Sequence, residues 1–395
     1  MSLSVPDLIL EADRCVACGL CLPHCPTYKK TGSEADSPRG RIQLMRAVAQ
    51  DVLPNNPRFK QHLDLCLSCR SCESACPNNV AYGALIDSAR ALFVAKKSLY
   101  SPLIRPFIRS RKLINGLVRV VRLSQQLLGT SWLSRLFPAA KLLPRLPAPV
   151  SWQTHYPSNA ASKQGEVSLF LGCASQVLDS DTLAAAIHVL TALGFDVHVP
   201  TGQTCCGSIA RQMGDAAESE ALLARNRTSF ASERPILTVA SGCGAGLADY
   251  LSSHQVQDIS AFLADCDWSK LTIKPLAQRV FVQDPCSLRN GQKSHAAVYA
   301  LLKKIPQAEV LALPGNGQCC GGAGAYMLTQ ADMAQQLLND KLTAIQASGV
   351  SLLASSNIGC SLHLVSGLTG QNSAVKIMHP IQILAAQLGW TAKHD

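Results

Sequence analysis

The chain has 395 residues and 17 cysteines, is 47% hydrophobic and carries a formal net charge of +10. Its length allows two or three domains with proper cores. It contains no run of eighteen apolar residues, which argues against a membrane-spanning helix, and the acidic N-terminal stretch MSLSVPDLILEADRC argues against a secretory signal. So many cysteines without a signal indicate metal ligands in a reducing compartment, so we expect a cytoplasmic protein.

The positive charge is concentrated in one segment. Residues 88–165 contain thirteen Lys or Arg and no Asp or Glu, and the rest of the chain is slightly acidic. A nucleic-acid-binding face would be spread over a folded domain, whereas this distribution indicates a local basic patch. We therefore expect no nucleic-acid partner.

Two cysteine motifs of identical spacing predict an α-helical ferredoxin-type domain in residues 1–97. Both read CxxCxxCxxxCP, the spacing of bacterial two-cluster ferredoxins, in which the fourth cysteine of each run binds the other cluster. The predicted ligands are Cys15, Cys18, Cys21 and Cys76 for one [4Fe–4S] cluster, and Cys66, Cys69, Cys72 and Cys25 for the second. A pair of zinc knuckles is the alternative, and two complete runs argue against it.

Residues 98–165 are predicted to form a basic helical connector. Its regularly spaced basic residues are Arg105, Arg109, Lys112, Arg119 and Arg122. They share one helical face, while Leu117, Val118 and Val121 are expected on another. The helix either packs on its neighbours with the basic face in water, or it contacts anionic lipid or a protein partner. The two interpretations are compatible.

The remainder of the chain contains an internal repeat. Cys173, Cys205, Cys206 and Cys243 recur 113 to 117 residues later as Cys286, Cys319, Cys320 and Cys360. Each copy reads strand, helix, strand, Cys-Cys-Gly loop, helix, strand, Cys, which predicts two tandem α/β domains with parallel strands at residues 166–275 and 276–395. Ligands gather at the carboxyl ends of such strands, so the four thiols of each copy should converge.

The second Cys-Cys-Gly loop, GNGQCCGGAGAY, is rich in glycine. We expect the glycines at positions 315, 317, 321, 322 and 324 to allow positive φ and a close approach of the backbone to inorganic sulfide. Their N–H groups would then tune the potential of a cluster. The loop lacks GxGxxG, so it does not indicate a dinucleotide site, and the sequence contains no recognisable flavin site or Ser–His–Asp arrangement.

The chain resembles the iron–sulfur subunit of bacterial glycolate oxidase over nearly its whole length, and each repeat resembles the Cys-Cys-Gly domain of heterodisulfide reductase. The resemblance rests on the ferredoxin runs, SPRGRIQLMRAV, the two Cys-Cys-Gly loops, SGCGAG and NIGCSLHL. Lactate-utilisation proteins and the third subunit of anaerobic glycerol-3-phosphate dehydrogenase share this layout. The resemblance implies a subunit without catalytic residues that relays electrons from a partner flavoprotein, which oxidises glycolate or D-lactate, toward quinone. It also implies a site of action close to the inner face of the cell membrane.

One departure from the resembled motif concerns the ends of the repeats. The full motif ends in CxxC, but here the ends are CGAG from Cys243 and CSLH from Cys360. Four thiols remain in each repeat, which suits an ordinary cubane, so the chain is expected to hold up to four clusters. His363 is either a further ligand or, as we favour, a hydrogen-bonding neighbour. Zinc is an alternative in the first repeat, and Cys266 is expected to be a structural or free thiol.

Two rival functions are also compatible with the sequence. A thiol–disulfide reductase would bind a substrate sulfur at a Cys-Cys-Gly cluster, and the missing fifth cysteine argues against it. A zinc-stabilised scaffold would be colourless and free of acid-labile sulfide.

Overall fold

The computed structural model describes residues 3–94, 106–107, 109–128, 146–251 and 255–392. Its architecture confirms the predicted class, because an α-helical N-terminal part is followed by two α/β units with parallel sheets. Within the described residues, no helix combines the length and the apolar composition that crossing a bilayer requires.

The N-terminal part consists of short helices around an apolar core. They are α1 (Val5–Asp13), α2 (Pro26–Thr31), α3 (Pro38–Ala49), α4 (Pro57–Asp64), α5 (Ser71–Ser74) and α6 (Tyr82–Ala89), followed by a π-helical turn at Arg90–Val94. Proline suits the start of a helix, since the first N–H has no partner within the helix. Helix α2 accordingly begins at Pro26, directly after Cys25. The fully buried core side chains include Leu8, Met45, Leu63 and Leu85.

The basic connector contributes helix α7 (Arg111–Leu128). Its Val118 is buried against Leu146, which also belongs to the predicted connector, and against Val177 of the first α/β unit. The helix therefore packs on the first α/β unit along one face.

The first α/β unit contains a sheet in the order β1-β3-β2-β4-β5. Its strands are β1 (His155–Tyr156), β2 (Gly165–Phe170), β3 (Phe195–His198), β4 (Ile236–Thr238) and β5 (Val256–Asp258). Its helices are α8 (Ser175–Leu178), α9 (Ser180–Ala192), α10 (Ser208–Gln212), α11 (Ala216–Ser229), α12 (Ser241–Ala248) and α13 (Ile259–Ala264). Strand β1 pairs antiparallel with β3, and the other neighbours are parallel. The sheet thus includes residues from the segment predicted as connector.

The second α/β unit repeats this plan with a sheet in the order β7-β6-β8-β9. Its strands are β6 (Arg279–Gln283), β7 (Glu309–Ala312), β8 (Leu352–Ser355) and β9 (Lys376–Met378). Its helices are α14 (His295–Leu302), α15 (Tyr326–Thr329), α16 (Ala331–Ala347), α17 (Ile358–Gly370) and α18 (Pro380–Gln387). The pairing of Gly165 with Phe195 in the first sheet recurs as Arg279 with Glu309 in the second.

The two α/β units share one hydrophobic core. Leu190 of α9 and Leu384 of α18 are both fully buried in it, and so are Leu263 of α13 and Leu301 of α14. Because these helices come from different units, the apolar surface of each repeat is covered by the other. The repeats are therefore fixed relative to each other, which positions their cysteine loops.

Candidate metal centres

The predicted ferredoxin ligands line two neighbouring cavities. One is lined by four cysteines of the first predicted set, Cys15, Cys18, Cys21 and Cys76. The other is lined by the second set, Cys66, Cys69, Cys72 and Cys25. Cys72 lines the first cavity as well, so the two lie side by side. Each cavity thus combines three cysteines of one motif with the fourth cysteine of the other.

Left-handed backbone gives both ferredoxin loops the same path. Ala17 and Gly19 have φ of +55° and +86°, and Ser68 and Arg70 occupy the equivalent places around Cys69 with φ of +52° and +56°. Three of these residues have a Cβ, which makes the left-handed region unfavourable for them. The surrounding structure therefore holds the loops in this shape, in which successive thiols face one cavity.

Hydrogen-bond donors surround the ferredoxin thiols. The Ser68 N–H lies 3.4 Å from the Cys66 sulfur, and the Tyr82 hydroxyl lies 3.5 Å from the same atom. The Val80 N–H donates to the Cys76 sulfur at 3.5 Å. Burial raises the pKa of Cys72, because a thiolate without water is destabilised unless a cation is present. Sulfur atoms with this set of donors suit thiolate ligands of a metal cluster.

The first repeat brings its four thiols together beyond the carboxyl ends of its parallel strands. The sulfurs of Cys173 and Cys205 are 3.4 Å apart, and Cys206 contacts Cys243. Cys243 is the third residue of α12, where a helix N-terminus stabilises negative charge. The Ser208 hydroxyl contacts the Cys206 sulfur at 3.3 Å.

The second repeat has the same arrangement. The sulfurs of Cys286 and Cys319 are 3.8 Å apart, and those of Cys320 and Cys360 are 3.0 Å apart. The Gly322 N–H donates to the Cys320 sulfur at 3.4 Å. In the described residues, no three His, Cys, Asp or Glu side chains are grouped as ligands of a single metal ion.

His363 is buried beside the second Cys-Cys-Gly loop. Its Nδ1 is 3.0 Å from the carbonyl oxygen of Cys320, a contact of a hydrogen-bonding neighbour. The loop needs glycine at two positions for different reasons. Gly321 has φ of +82°, whereas at Gly322 a Cβ would lie 2.7 Å from the Gly359 carbonyl oxygen. Of the five glycines expected to allow positive φ, those at positions 315, 321 and 324 have a positive φ, and those at positions 317 and 322 do not.

Comparisons with known proteins match this layout. A model described as a 4Fe-4S dicluster domain matches residues 11–80, and one described as a cysteine-rich domain, CCG, matches residues 167–248 and 280–365. The glycolate oxidase iron-sulfur subunit of Escherichia coli K12 is 32% identical over 97% of this chain and 95% of its own length. The chain belongs to the family of glycolate oxidase iron–sulfur subunits.

Two further relatives extend the comparison. A probable glycolate oxidase iron-sulfur subunit of Bacillus subtilis 168 is 29% identical over 96% of this chain and 94% of its own length. A subunit of the fumarate reductase (CoM/CoB) from Methanothermobacter marburgensis is 27% identical over 94% of this chain and 71% of its own length. A protein named as a subunit of a different enzyme therefore also matches most of this chain.

Two amide side chains in this family member hold the strand ends that lead to the first cysteine of each repeat. Gln203 accepts from the Leu171 N–H at 2.7 Å and donates to the Leu169 carbonyl at 3.2 Å. Asn316 contacts the backbone of Asp284 and Val282 in the same way, at 3.2 and 2.7 Å. Sequence reasoning missed both residues, although their spacing of 113 residues equals that of Cys173 and Cys286.

The ferredoxin loop of Cys66 to Cys72 packs directly on the second repeat. The Asn290 side-chain amide donates to the Cys69 carbonyl at 2.9 Å, and the Tyr326 hydroxyl donates to the Leu65 carbonyl at 2.8 Å. Leu67 and Cys319 lie in one apolar cluster, with Cys69 and Cys286 packed against it. The second ferredoxin cavity therefore adjoins the thiols of the second repeat.

Only part of the predicted basic face of the connector is exposed to solvent and without an ion-pair partner within the described residues. Arg105 lies outside the described residues, and Arg109 precedes α7 and binds Glu218 of α11 through both carboxylate oxygens, at 2.9 and 2.5 Å. Lys112 and Arg119 are exposed, and Arg122 is half-buried. Leu117, predicted to share a helical face with Val118 and Val121, is exposed, whereas Val118 is buried.

Cys266 lies away from both repeat centres. It is partly buried against the shared core, and its thiol donates to the Phe262 carbonyl at 3.3 Å. Burial raises its pKa to about 11, so it stays a protonated thiol at neutral pH.

Proposed function

We propose that this chain is the electron-transfer subunit of a flavin-dependent 2-hydroxy-acid dehydrogenase. A partner flavoprotein would oxidise glycolate or D-lactate, and this chain would carry the electrons toward quinone. The observation that carries the proposal is the grouping of sixteen of the 17 cysteines into four sets of four that follow one another through adjoining domains. The names of the glycolate oxidase relatives support the substrate class.

Each cysteine set is proposed to hold one [4Fe–4S] cluster. When bound, such a cluster takes up and gives back single electrons. The donor chemistry fits, since the sets consist of thiols and N–H groups point at the sulfurs of Cys66, Cys76 and Cys320. Ligand thiols must lose their protons, and the positive charge of bound iron would offset the burial that raises the pKa of Cys72.

The contacts between the sets support a linear order. Cys72 lines both ferredoxin cavities, so the first and second sets are neighbours. The second set adjoins the second repeat through Cys69 and Cys286. The loops of the two repeats are joined by the Ser241 and Ser287 hydroxyls, 2.7 Å apart. The first repeat is thus proposed as one end of the route and the Cys15 set as the other.

The exposed end of this route offers a docking surface for the flavoprotein. Cys18 is exposed, and the neighbouring Val16 and Leu20 are 67% and 56% exposed. Apolar side chains around a redox centre suit a partner surface that excludes water over a short path. We therefore propose that electrons enter at the Cys18 loop.

Membrane proximity is proposed to come from helix α7. Its exposed apolar side chains Leu113, Leu117, Val120, Leu123 and Leu127 form one stripe, and the helix contains no acidic residue. Lys112 and Arg119 are exposed and lie along one edge of this stripe. An apolar stripe bordered by basic residues is typical of a helix that lies in the interface of an anionic bilayer.

The test is substrate-dependent reduction in the complex. The tagged chain is purified anaerobically with its flavoprotein, glycolate or D-lactate is added, and cluster reduction is followed by electron paramagnetic resonance. We expect reduction in the complex and none in the isolated, flavin-free chain. Oxidation of either acid by the isolated chain would contradict the proposal, and reduction by neither acid in the complex would exclude this substrate class.

A matched pair of variants tests the entry point. Replacing Val16 and Leu20 with Asp should abolish reduction by the flavoprotein while chemical reduction of the clusters persists. Val52, which is 71% exposed in the same domain but does not line either cysteine cavity, provides the Val52→Asp control. If the flavoprotein reduces the clusters of both variants at equal rates, the docking surface lies elsewhere.

A further inference from the structure

Asn357 stands where the two repeats differ. The same 117 residues separate it from Ala240 as separate Cys360 from Cys243. Both residues are the N-cap of a helix, α17 for Asn357 and α12 for Ala240, and each helix carries its cysteine as the third residue. An asparagine at this position ordinarily accepts a hydrogen bond from its own helix.

The Asn357 side chain makes two other contacts instead. Its Oδ1 accepts from the Gly242 N–H at 3.2 Å, and its Nδ2 donates to the Cys360 sulfur at 3.5 Å. It does not cap its own helix. Gly242 is the second residue of α12, so Asn357 caps the helix of the first repeat, whose own N-cap, Ala240, has no side-chain acceptor.

Backbone contacts reinforce this link. The Ser241 N–H, at the first position of α12, donates to the Ser356 carbonyl at 3.0 Å. The first two N–H groups of α12 are therefore both bound by the residues that precede α17. Free N–H groups at a helix start otherwise need a cap or water. The start of α12, which carries Cys243 of the first repeat, is thus held partly by residues of the second repeat.

We infer that Asn357 is a positioning residue that couples the two repeat centres, by donating to the Cys360 thiolate while it caps the helix that carries Cys243. The inference rests on the proposed function, because it requires clusters in both repeats. A donor at a ligand sulfur stabilises the reduced cluster, which carries more negative charge, and so raises its reduction potential. Ala240 offers no such donor, so the two centres are tuned differently.

Two substitutions separate the roles of the amide. In Asn357→Asp, one carboxylate oxygen still accepts from Gly242, but the donor to Cys360 is replaced by a negative oxygen. In Asn357→Ala, the cap and the donor are both lost. The full chain is purified anaerobically, and the midpoint potentials are measured by redox titration with electron paramagnetic resonance. Cys243→Ser and Cys360→Ser identify the signal of each repeat.

We expect Asn357→Asp to shift the midpoint of the second repeat to a more negative potential, with iron content and the signal of the first repeat unchanged. Asn357→Ala should shift the same midpoint and also change the signal, or lower the iron content, of the first repeat. A residue that only shapes its own loop predicts a wild-type midpoint in Asn357→Asp. That result, with four clusters present, overturns the inference.

The remaining outcomes are also decisive. If Asn357→Ala changes the second repeat alone, the coupling to Cys243 is refuted. If the wild-type repeats contain no iron, the proposed function fails and this inference fails with it. Four clusters in the wild type with unmoved potentials in both variants would overturn the inference while the proposed function stands.

Discussion

At the scale of single residues, the second Cys-Cys-Gly loop is limited by space as much as by backbone conformation. A Cβ at Gly322 would meet the Gly359 carbonyl oxygen at 2.7 Å and the His363 Cβ at 3.2 Å. Gly359 lies in α17, directly before Cys360. The closeness of loop and helix therefore depends on the missing side chain of Gly322. At Gly317, by contrast, a Cβ would meet nothing within 4 Å.

This contrast gives a matched prediction. Gly322→Ala should separate the loop from α17, lower the iron content of the second repeat and cost about 1–3 kcal/mol of stability, as overpacking of a tight interior does. Gly317→Ala should leave the iron content and the stability unchanged. Iron analysis and denaturant unfolding measure the two effects. Equal iron content and stability in the two variants would show that the close contact is not required.

At the scale of the element, helix α7 shows what spacing alone can predict. The charge bias and the periodicity of the basic residues indicated an amphipathic helix, and the structure has one at Arg111–Leu128. Which apolar side chains face inward was not predictable, because it depends on the packing of Val118 against Val177. The pairing of Arg109 with Glu218, 109 residues away, likewise depends on how the domains dock.

Vesicle binding tests the role of this helix. Replacing Lys112, Arg119 and Arg122 with Gln should weaken binding to anionic vesicles by about 3 kcal/mol at low salt, at about 1 kcal/mol per charge, and less as salt screens the attraction. Binding to neutral vesicles should change little. Arg109 is left in place because Glu218 already binds it.

Replacing Leu117, Val120 and Leu127 with Ser is the complementary change, since these side chains are 42%, 66% and 73% exposed. It should weaken binding to both kinds of vesicle, because the apolar stripe enters the interface regardless of lipid charge. If the Gln variant and the Ser variant both bind anionic vesicles as the parent protein does, helix α7 does not contact the membrane. Its exposed surface then faces a protein partner or water.

At the scale of the whole molecule, an ionic network fixes the ferredoxin part on the first repeat. Arg70 binds both carboxylate oxygens of Asp249, at 3.0 and 2.6 Å. Arg211 contacts the same carboxylate at 3.1 Å and reaches Asp87 of α6 at 3.3 Å. Burial raises the pKa of Asp87, and the Arg211 charge opposes that rise. The network therefore holds the ferredoxin part against the first repeat.

Removing its central cation should loosen this arrangement. Arg211→Ala leaves the Asp87 and Asp249 carboxylates without that partner, and we expect a loss of about 2–3 kcal/mol and faster proteolysis between the domains. Arg279→Ala is the matched control, since the Arg279–Glu309 pair is 67% and 56% exposed and such pairs contribute at most about 1 kcal/mol. Urea unfolding and limited proteolysis distinguish the variants, and identical behaviour would show that the network is dispensable.

The whole-molecule plan was largely predictable from the cysteines. Their repeated spacing indicated two ferredoxin runs and two parallel α/β units. The cysteines of the two repeats recur at the same positions relative to predicted strands, which indicates that the two segments share one fold. The docking between the parts was not predictable. Asn290 holds the Cys69 loop, and Asn357 reaches Gly242, across more than a hundred residues. Such contacts depend on the surface shape of folded domains, which no local pattern encodes.

The most direct test of the account is the metal and sulfide content of the chain. Sixteen of the 17 cysteines fall into four sets of four, and Cys266 lies apart. Protein purified without oxygen should therefore contain close to four [4Fe–4S] clusters, with equal iron and acid-labile sulfide and no zinc. Two clusters, with zinc in the two repeats, would contradict it, because the repeats would then be structural sites that carry no electrons.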